Sequence, residues 1–266
     1  MSAAPTNPHD AGYLYLTQLL AHRARKLPRE LVSERVEQAF RDLCIELAPT
    51  VSLEVGAHEA AFSRWLKSEL PSTHCVAFEA NPYVHDKFAD GLDGTGVDYH
   101  HLAVSETNGT VDLGIPRRFH NPLLGRRFGK RRTSRMASLA RHRYAERTET
   151  VPVPSVSLDD FVSVNDDDVV VAWIDVEGAS GAVLTSGERV LSHASLVYIE
   201  VENEQVWRGQ WLDVDVARYL ADCDLVPVLR DIQRPHQYNV VYARAELAAA
   251  PRMARLCDAV YRPAED

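Results

Sequence analysis

Two stretches of the sequence place carboxylates where a run of apolar residues ends. In Ile174–Asp175–Val176–Glu177–Gly178 two acids flank a single valine directly after Val169–Ile174. In Ile199–Glu200–Val201–Glu202–Asn203–Glu204 the acids alternate out of a second apolar run, Leu196–Val201. A carboxylate at such a place is costly unless it reaches solvent, a metal or a partner. Four on neighbouring strand ends repel one another, and a divalent cation would relieve that; oxygen ligands favour Mg²⁺ over zinc. The plain alternative is structural, with these acids bonded to helix N-termini and loop amides.

Two further positions complete the set. Leu53–Glu54–Val55–Gly56–Ala57–His58 carries a lone glycine after a strand-like run. Gly56 lets a ligand approach the backbone closely. The three-glycine pattern that seats a pyrophosphate on a helix N-terminus is absent. An acid beside a lone glycine suits a ligand with an ammonium group, such as S-adenosylmethionine. In Phe78–Glu79–Ala80–Asn81–Pro82, the acid lies 23 residues beyond Gly56. There it could accept both hydroxyls of an adenosine ribose, although surface acids also end strands.

These positions need a scaffold that brings strand ends together. Short apolar runs at Val51–Val55, His74–Phe78, Tyr99–Val104, Thr110–Leu113, Val169–Ile174, Leu196–Val201, Leu225–Leu229 and Asn239–Ala243 read as strands. Helical patterns lie between them, at Phe62–Leu70, Tyr83–Asp90, Ala179–Leu191 and Asp213–Cys223. Alternation of this kind predicts an open, mostly parallel sheet covered on both faces. Ahead of it, Tyr13, Leu16, Leu19 and Leu20 read as one helical face. Val32, Val36, Ala39, Phe40, Leu43 and Leu47 mark a second helix, ended by Pro49. The expected organisation is a disordered 1–10, N-terminal helices over 11–48, one α/β domain over 49–245 and a C-terminal helix over 246–266.

Composition narrows the class. The 266 residues are 45% hydrophobic and 25% charged, as in an ordinary globular protein. No run is long and apolar enough to span a membrane, and the start lacks a signal-peptide pattern. Four cysteines without CxxC spacing read as reduced thiols in a cytoplasmic protein. The net charge of −9 is uneven: Arg117 to Arg147 holds ten arginines and one lysine against the single acid Glu146. The segment 116–148 therefore reads as a basic flap. It is either a solvated insertion or a guide for an anionic or hydroxylated substrate. The acidic remainder argues against a nucleic-acid partner.

Taken together, Leu53–Ala57, Phe78–Pro82, Ser157–Leu158–Asp159, Ile174–Gly178 and Ile199–Glu202 resemble the FkbM-type S-adenosylmethionine-dependent methyltransferases. The family's first loop usually reads Asp-x-Gly-Ala-Asn-x-Gly; here Glu54, His58 and Ala60 depart from it. The resemblance implies a class I methyltransferase fold, Rossmann-like, with a seven-stranded sheet whose last two strands form a reversed hairpin. It implies methyl transfer to a hydroxyl, commonly of a sugar or a polyketide-like natural product. Glu54, Gly56, Ala57, His58, Glu79, Ala80 and Ala103 would then face the cofactor. Asp175, Glu202 and Asn203 would hold Mg²⁺ or orient acceptor hydroxyls, with Glu200 beside the acceptor. Glu177 or flap residue His142 would remove the proton.

Trp207 and Trp211, at helical spacing, could offer aromatic faces to a sugar, or pack a helix onto the sheet or a partner subunit. The N-terminal helices could cap the sheet or build a homodimer. Three competing readings are a nicotinamide oxidoreductase, opposed by the missing glycines, a nucleic-acid methyltransferase gripping through the basic segment, and a degenerate fold that binds glycans without catalysis.

Overall fold

The computed structural model describes residues 8–121, 126–133 and 135–263. In chain order α1 (Pro8–Ala24) and α2 (Arg29–Leu47) precede β1 (Val51–Val55), α3 (Ala61–Glu69), β2 (His74–Phe78), α4 (Pro82–Phe88), β3 (Val97–His100) and β4 (Ala103–Val104). Then come β5 (Gly109–Asn121), β6 (Arg126–Gly129), β7 (Ala145–Val156), α5 (Leu158–Phe161), β8 (Val170–Ile174), α6 (Ser180–Thr185) and α7 (Glu188–Ser192). The chain closes with β9 (Ala194–Glu202), α8 (Asp213–Asp222), β10 (Leu225–Arg230), β11 (Gln237–Arg244), α9 (Ala245–Ala249) and α10 (Pro251–Val260).

The seven-stranded sheet runs β10-β11-β9-β8-β1-β2-β3. β11 is antiparallel to β9 and β10, while the pairs among β1, β2, β3, β8 and β9 are parallel. The chain leaves β1 toward β3, then returns to place β8 on the other side of β1. That reversal opens a crevice where ligands bind in such sheets. Register decides what meets there. Val55 pairs with Ile174, so the next residues, Gly56 and Asp175, emerge side by side.

Strand alternation divides the core into two layers. Val171, Leu196 and Tyr198 face α2, α3 and α10, where Phe40, Leu43, Phe62, Leu66 and Met253 are buried. Ala172, Val197 and Ile199 face α5 to α8, packing on Leu158, Leu184, Leu191 and Leu220. Local chemistry sets several helix ends. Asn81 caps α4 by accepting from the Tyr83 amide at 3.1 Å, with Pro82 in the first turn. Ser157 caps α5 through the Asp160 amide.

Several expectations shift. Residues 8–10, expected in a disordered leader, form the first turn of α1; residues 1–7 lie outside the described residues. The inward face of α1 is Thr17, Leu20, Ala21 and Ala24, whereas Leu16 and Leu19 are exposed. The expected helix over 179–191 is two helices, α6 and α7, separated at Gly187, where a Cβ would sit 2.9 Å from Leu158. The C-terminal segment likewise divides at Ala250–Pro251.

The largest difference concerns 116–148. Much of it belongs to a second sheet, ordered β4-β7-β5-β6. This sheet has its own small core of Ala103, Leu113, Ile115 and Val153. The four cysteines are free. No described helix is long and apolar enough to cross a membrane.

Candidate active site

The strand ends of β1, β2, β4 and β8 enclose a cleft of about 250 Å³. Gly56 forms its sharpest corner. Its φ is +80°, and a Cβ there would lie 2.0 Å from the Asp175 carbonyl oxygen. Only glycine tolerates both that conformation and that contact. His58 and Ala60 continue the loop with φ of 48° and 51°. Two of the three places where the sequence departs from the family pattern thus keep left-handed backbone while carrying side chains.

Glu54 lines the cleft, and its carboxylate accepts from the Ser63 amide at 2.7 Å and the Phe62 amide at 3.3 Å. It serves as the acceptor for the α3 N-terminus. Burial pushes its pKa up to about 7 against those bonds. Glu79 is 8% exposed and accepts from two amides, His58 at 2.8 Å and Asn81 at 2.7 Å. Burial raises its pKa to about 7. Each oxygen has one lone pair left over for a ligand hydroxyl. Ala57, Ala80 and Ala103 line the same cleft.

Asp175 opens into the cleft and is exposed there, while protein surrounds it on its other sides. That burial raises its carboxyl above the usual range, and Arg135 pulls it back. Behind it, Glu177, Glu200 and Glu202 bring one oxygen each within 4.8 Å of one another. Burial pushes Glu177 up to about 8, with Asp175 and Glu202 adding repulsion. Burial, with repulsion from Asp175, raises Glu202 to about 7, and burial holds Glu200 well above its ordinary value. Gln237 donates to Glu200 at 2.8 Å and Gln210 donates to Glu202 at 3.2 Å.

The acids brought together differ from the expected metal set. Among the described residues, the acids that converge are Glu177, Glu200 and Glu202. Asn203 points the other way, its Oδ1 3.2 Å from His236 Nδ1. Residues 200 and 202 share a face of β9 and 203 does not, a two-residue alternation present in the sequence.

His142 is no part of the cleft. It is buried, and its Nδ1 accepts from the Tyr144 amide at 3.0 Å. Its ring stands edge-on to Phe119 and Trp207, with centroids 4.8 Å and 4.6 Å away. Burial depresses its pKa to about 4. Trp207 is 1% exposed and fills the space beside Gly178, where a Cβ would lie 2.4 Å from the indole. Trp211 packs on Gly181 and Tyr219. Residues 205–212 are not helical, so the spacing of four carried no shared face; neither tryptophan lines the cleft, and Trp211 is half-buried.

Other cleft residues had no local signature. Glu37 and Arg41 reach it from α2, joined at 2.8 Å. Trp173 lines it while stacked on Tyr198 and Phe62, at 3.9 Å and 5.3 Å. From the basic segment, Arg135 lies 3.8 Å from Glu59, and the Ser138 hydroxyl donates to the Glu177 carbonyl.

A seven-stranded sheet with one reversed strand beside its edge, and acids at the ends of β1, β2 and β8, defines a class I methyltransferase. The family model described as "Methyltransferase FkbM domain" matches residues 54–226. The chain belongs to that family of S-adenosylmethionine-dependent methyltransferases. No curated protein matches it.

Solved structures resemble it at low identity. The magnesium protoporphyrin IX methyltransferase ChlM from Synechocystis PCC 6803, with bound SAM, is 9% identical with a TM-score of 0.43, covering 91% of this chain and 86% of that one. The 1,6-didemethyltoxoflavin-N1-methyltransferase from Burkholderia thailandensis is 13% identical, with a TM-score of 0.38 and coverage of 92% and 93%. The precorrin-6y C5,15-methyltransferase from Geobacter metallireducens GS-15 is 13% identical, with a TM-score of 0.37 and coverage of 73% and 79%.

Proposed function

We propose that this chain methylates a hydroxyl group of a sugar, in an oligosaccharide, polysaccharide or glycolipid precursor. The observation that carries this reading is one cleft lined by both Glu79 and Asp175, with the three-glutamate cluster beside it. The residues fit S-adenosylmethionine. Glu79 offers free lone pairs to ribose hydroxyls, the Gly56 corner leaves backbone open to a ligand, and Asp175 and Glu79 suit a cationic one. When bound, the cofactor supplies an electrophilic methyl group.

The chain's own work is alignment and proton removal. Displacement at a methyl group needs the acceptor oxygen in line, which a walled cleft achieves by restricting its freedom. A protonated sugar hydroxyl is a weak nucleophile, and Asp175, open to the cleft with a raised pKa, is placed to take its proton. Glu177, Glu200 and Glu202 form an all-oxygen donor set that fits Mg²⁺. The ion would polarise the acceptor hydroxyl. Carboxylates also accept hydrogen bonds from several hydroxyls at once, which suits a polyhydroxylated acceptor better than an apolar one.

The test is calorimetric titration of S-adenosylhomocysteine with Mg²⁺ and with EDTA, followed by methyl transfer to a panel of sugar acceptors. Micromolar binding and transfer to a sugar are the expected results. Binding with transfer only to a polyketide-like acceptor would redirect the substrate. No binding in either buffer would leave the degenerate, glycan-binding reading.

A further inference from the structure

The second sheet carries a cluster of charge that methyl transfer as described does not use. Arg118 and Arg147 are partners across the β5–β7 ladder. Like charges placed opposite one another repel. Both are exposed, and neither meets a carboxylate among the described residues. Arg117 and Arg132 line the same open hollow of about 450 Å³, with Glu149 as its acid. Glu149 lies 3.0 Å from Arg132 Nε and 3.7 Å from Arg117 Nε. Nη1 of Arg117 is buried without an acceptor among the described residues. Four arginines therefore line a hollow that holds one carboxylate, and two of them pair with it.

We propose that this hollow binds a phosphoryl group carried by the acceptor. Guanidinium forks match phosphate oxygens two at a time. A phosphate monoester brings about two negative charges, where a carboxylate brings one. A chain of hydrogen bonds also joins the hollow to the wall of the cleft. Asn81 Nδ2 donates to the Arg132 carbonyl at 2.8 Å, and the Asn81 amide donates to Glu79. Arg135, three residues further on, lines the cleft itself. An acceptor held by its phosphoryl group at the arginines would extend its sugar toward Asp175. The proposal rests on the acceptor reading for the origin of the phosphoryl group.

The probe is inorganic pyrophosphate, titrated into the full chain at low and at physiological salt. Binding that weakens with salt is expected. The double substitution Arg118→Gln/Arg147→Gln should weaken it by about tenfold or more, the scale of losing charge-assisted hydrogen bonds. Glu149→Gln should tighten it severalfold, a gain that misfolding cannot imitate. S-adenosylhomocysteine affinity should stay within about twofold in each variant. Absence of pyrophosphate binding, or equal binding by the double variant, overturns the proposal whatever the cofactor result. Pyrophosphate binding without S-adenosylhomocysteine binding would sustain the anion site and sink the methyl-transfer reading. Vesicles of phosphatidylcholine with phosphatidic acid separate the two sources of the group. Retention that the double variant loses assigns a lipid-borne acceptor, and pyrophosphate binding alone assigns a soluble one.

Discussion

Glu79 accepts the amide of His58 at 2.8 Å, and so the acid after β2 fixes the turn after β1. The same carboxylate accepts from Asn81, which caps α4. One side chain holds the loops after β1 and β2, both of which line the cleft.

Replacing Glu79 with alanine removes two charge-assisted acceptors and strands two amides. Affinity for S-adenosylhomocysteine should fall by about 2–3 kcal/mol, roughly 30- to 150-fold. Glutamine, keeping one acceptor oxygen, should recover part of that. An unchanged dissociation constant in the alanine variant, measured by calorimetry, removes Glu79 from the cofactor site.

Asp175→Asn keeps the shape and removes the base. Turnover should drop more than about a hundredfold, with cofactor affinity changed only severalfold. Near-normal turnover would exclude Asp175 as the proton acceptor.

The acidic cluster makes stability depend on pH in an unusual direction. Burial raises Glu177 to about 8 and Glu202 to about 7, from an ordinary value of 4.5. Between pH 4.5 and 8 the native state therefore keeps protons that the unfolded chain has released. Stability must fall as pH rises through that window, then level off. Urea denaturation in EDTA should show less stability at pH 8 than at pH 6. Mg²⁺, binding the ionised cluster, should flatten the difference; an identical slope with and without Mg²⁺ counts against a cation there.

His142→Ala should act on folding. Emptying the space between Phe119 and Trp207 should cost about 2–4 kcal/mol. Turnover per folded molecule should stay within severalfold. A loss beyond a hundredfold at unchanged stability would restore the histidine to the chemistry.

Much of the parallel sheet and its acid-bearing ends was legible because each strand is short, apolar and followed by a chemically odd residue. Gly56, Glu79 and Asp175 needed only that pattern. Convergence was harder. Glu177 meets Glu200 and Glu202 because β8 pairs with β9 in a particular register, and local spacing does not specify which strands pair. Glu37 and Arg41 reach the cleft from α2 through packing of Phe40 on Phe62 and Trp173, at 5.5 Å and 5.8 Å. Nothing near them in the chain signals it. The second sheet was hidden by its own charge, since its arginines interrupt the alternation that marks a half-buried strand.

The separate core under that second sheet, built on Ala103, Leu113, Ile115 and Val153, has an evolutionary corollary. The outer surface that carries the arginines can change its residues with little disturbance to the buried layers of the main sheet, whereas Ala103 and Leu113 on its inner side also line the cleft. Duplicated copies of such a chain could diverge in what they methylate while inheriting the methyl donor's seat intact.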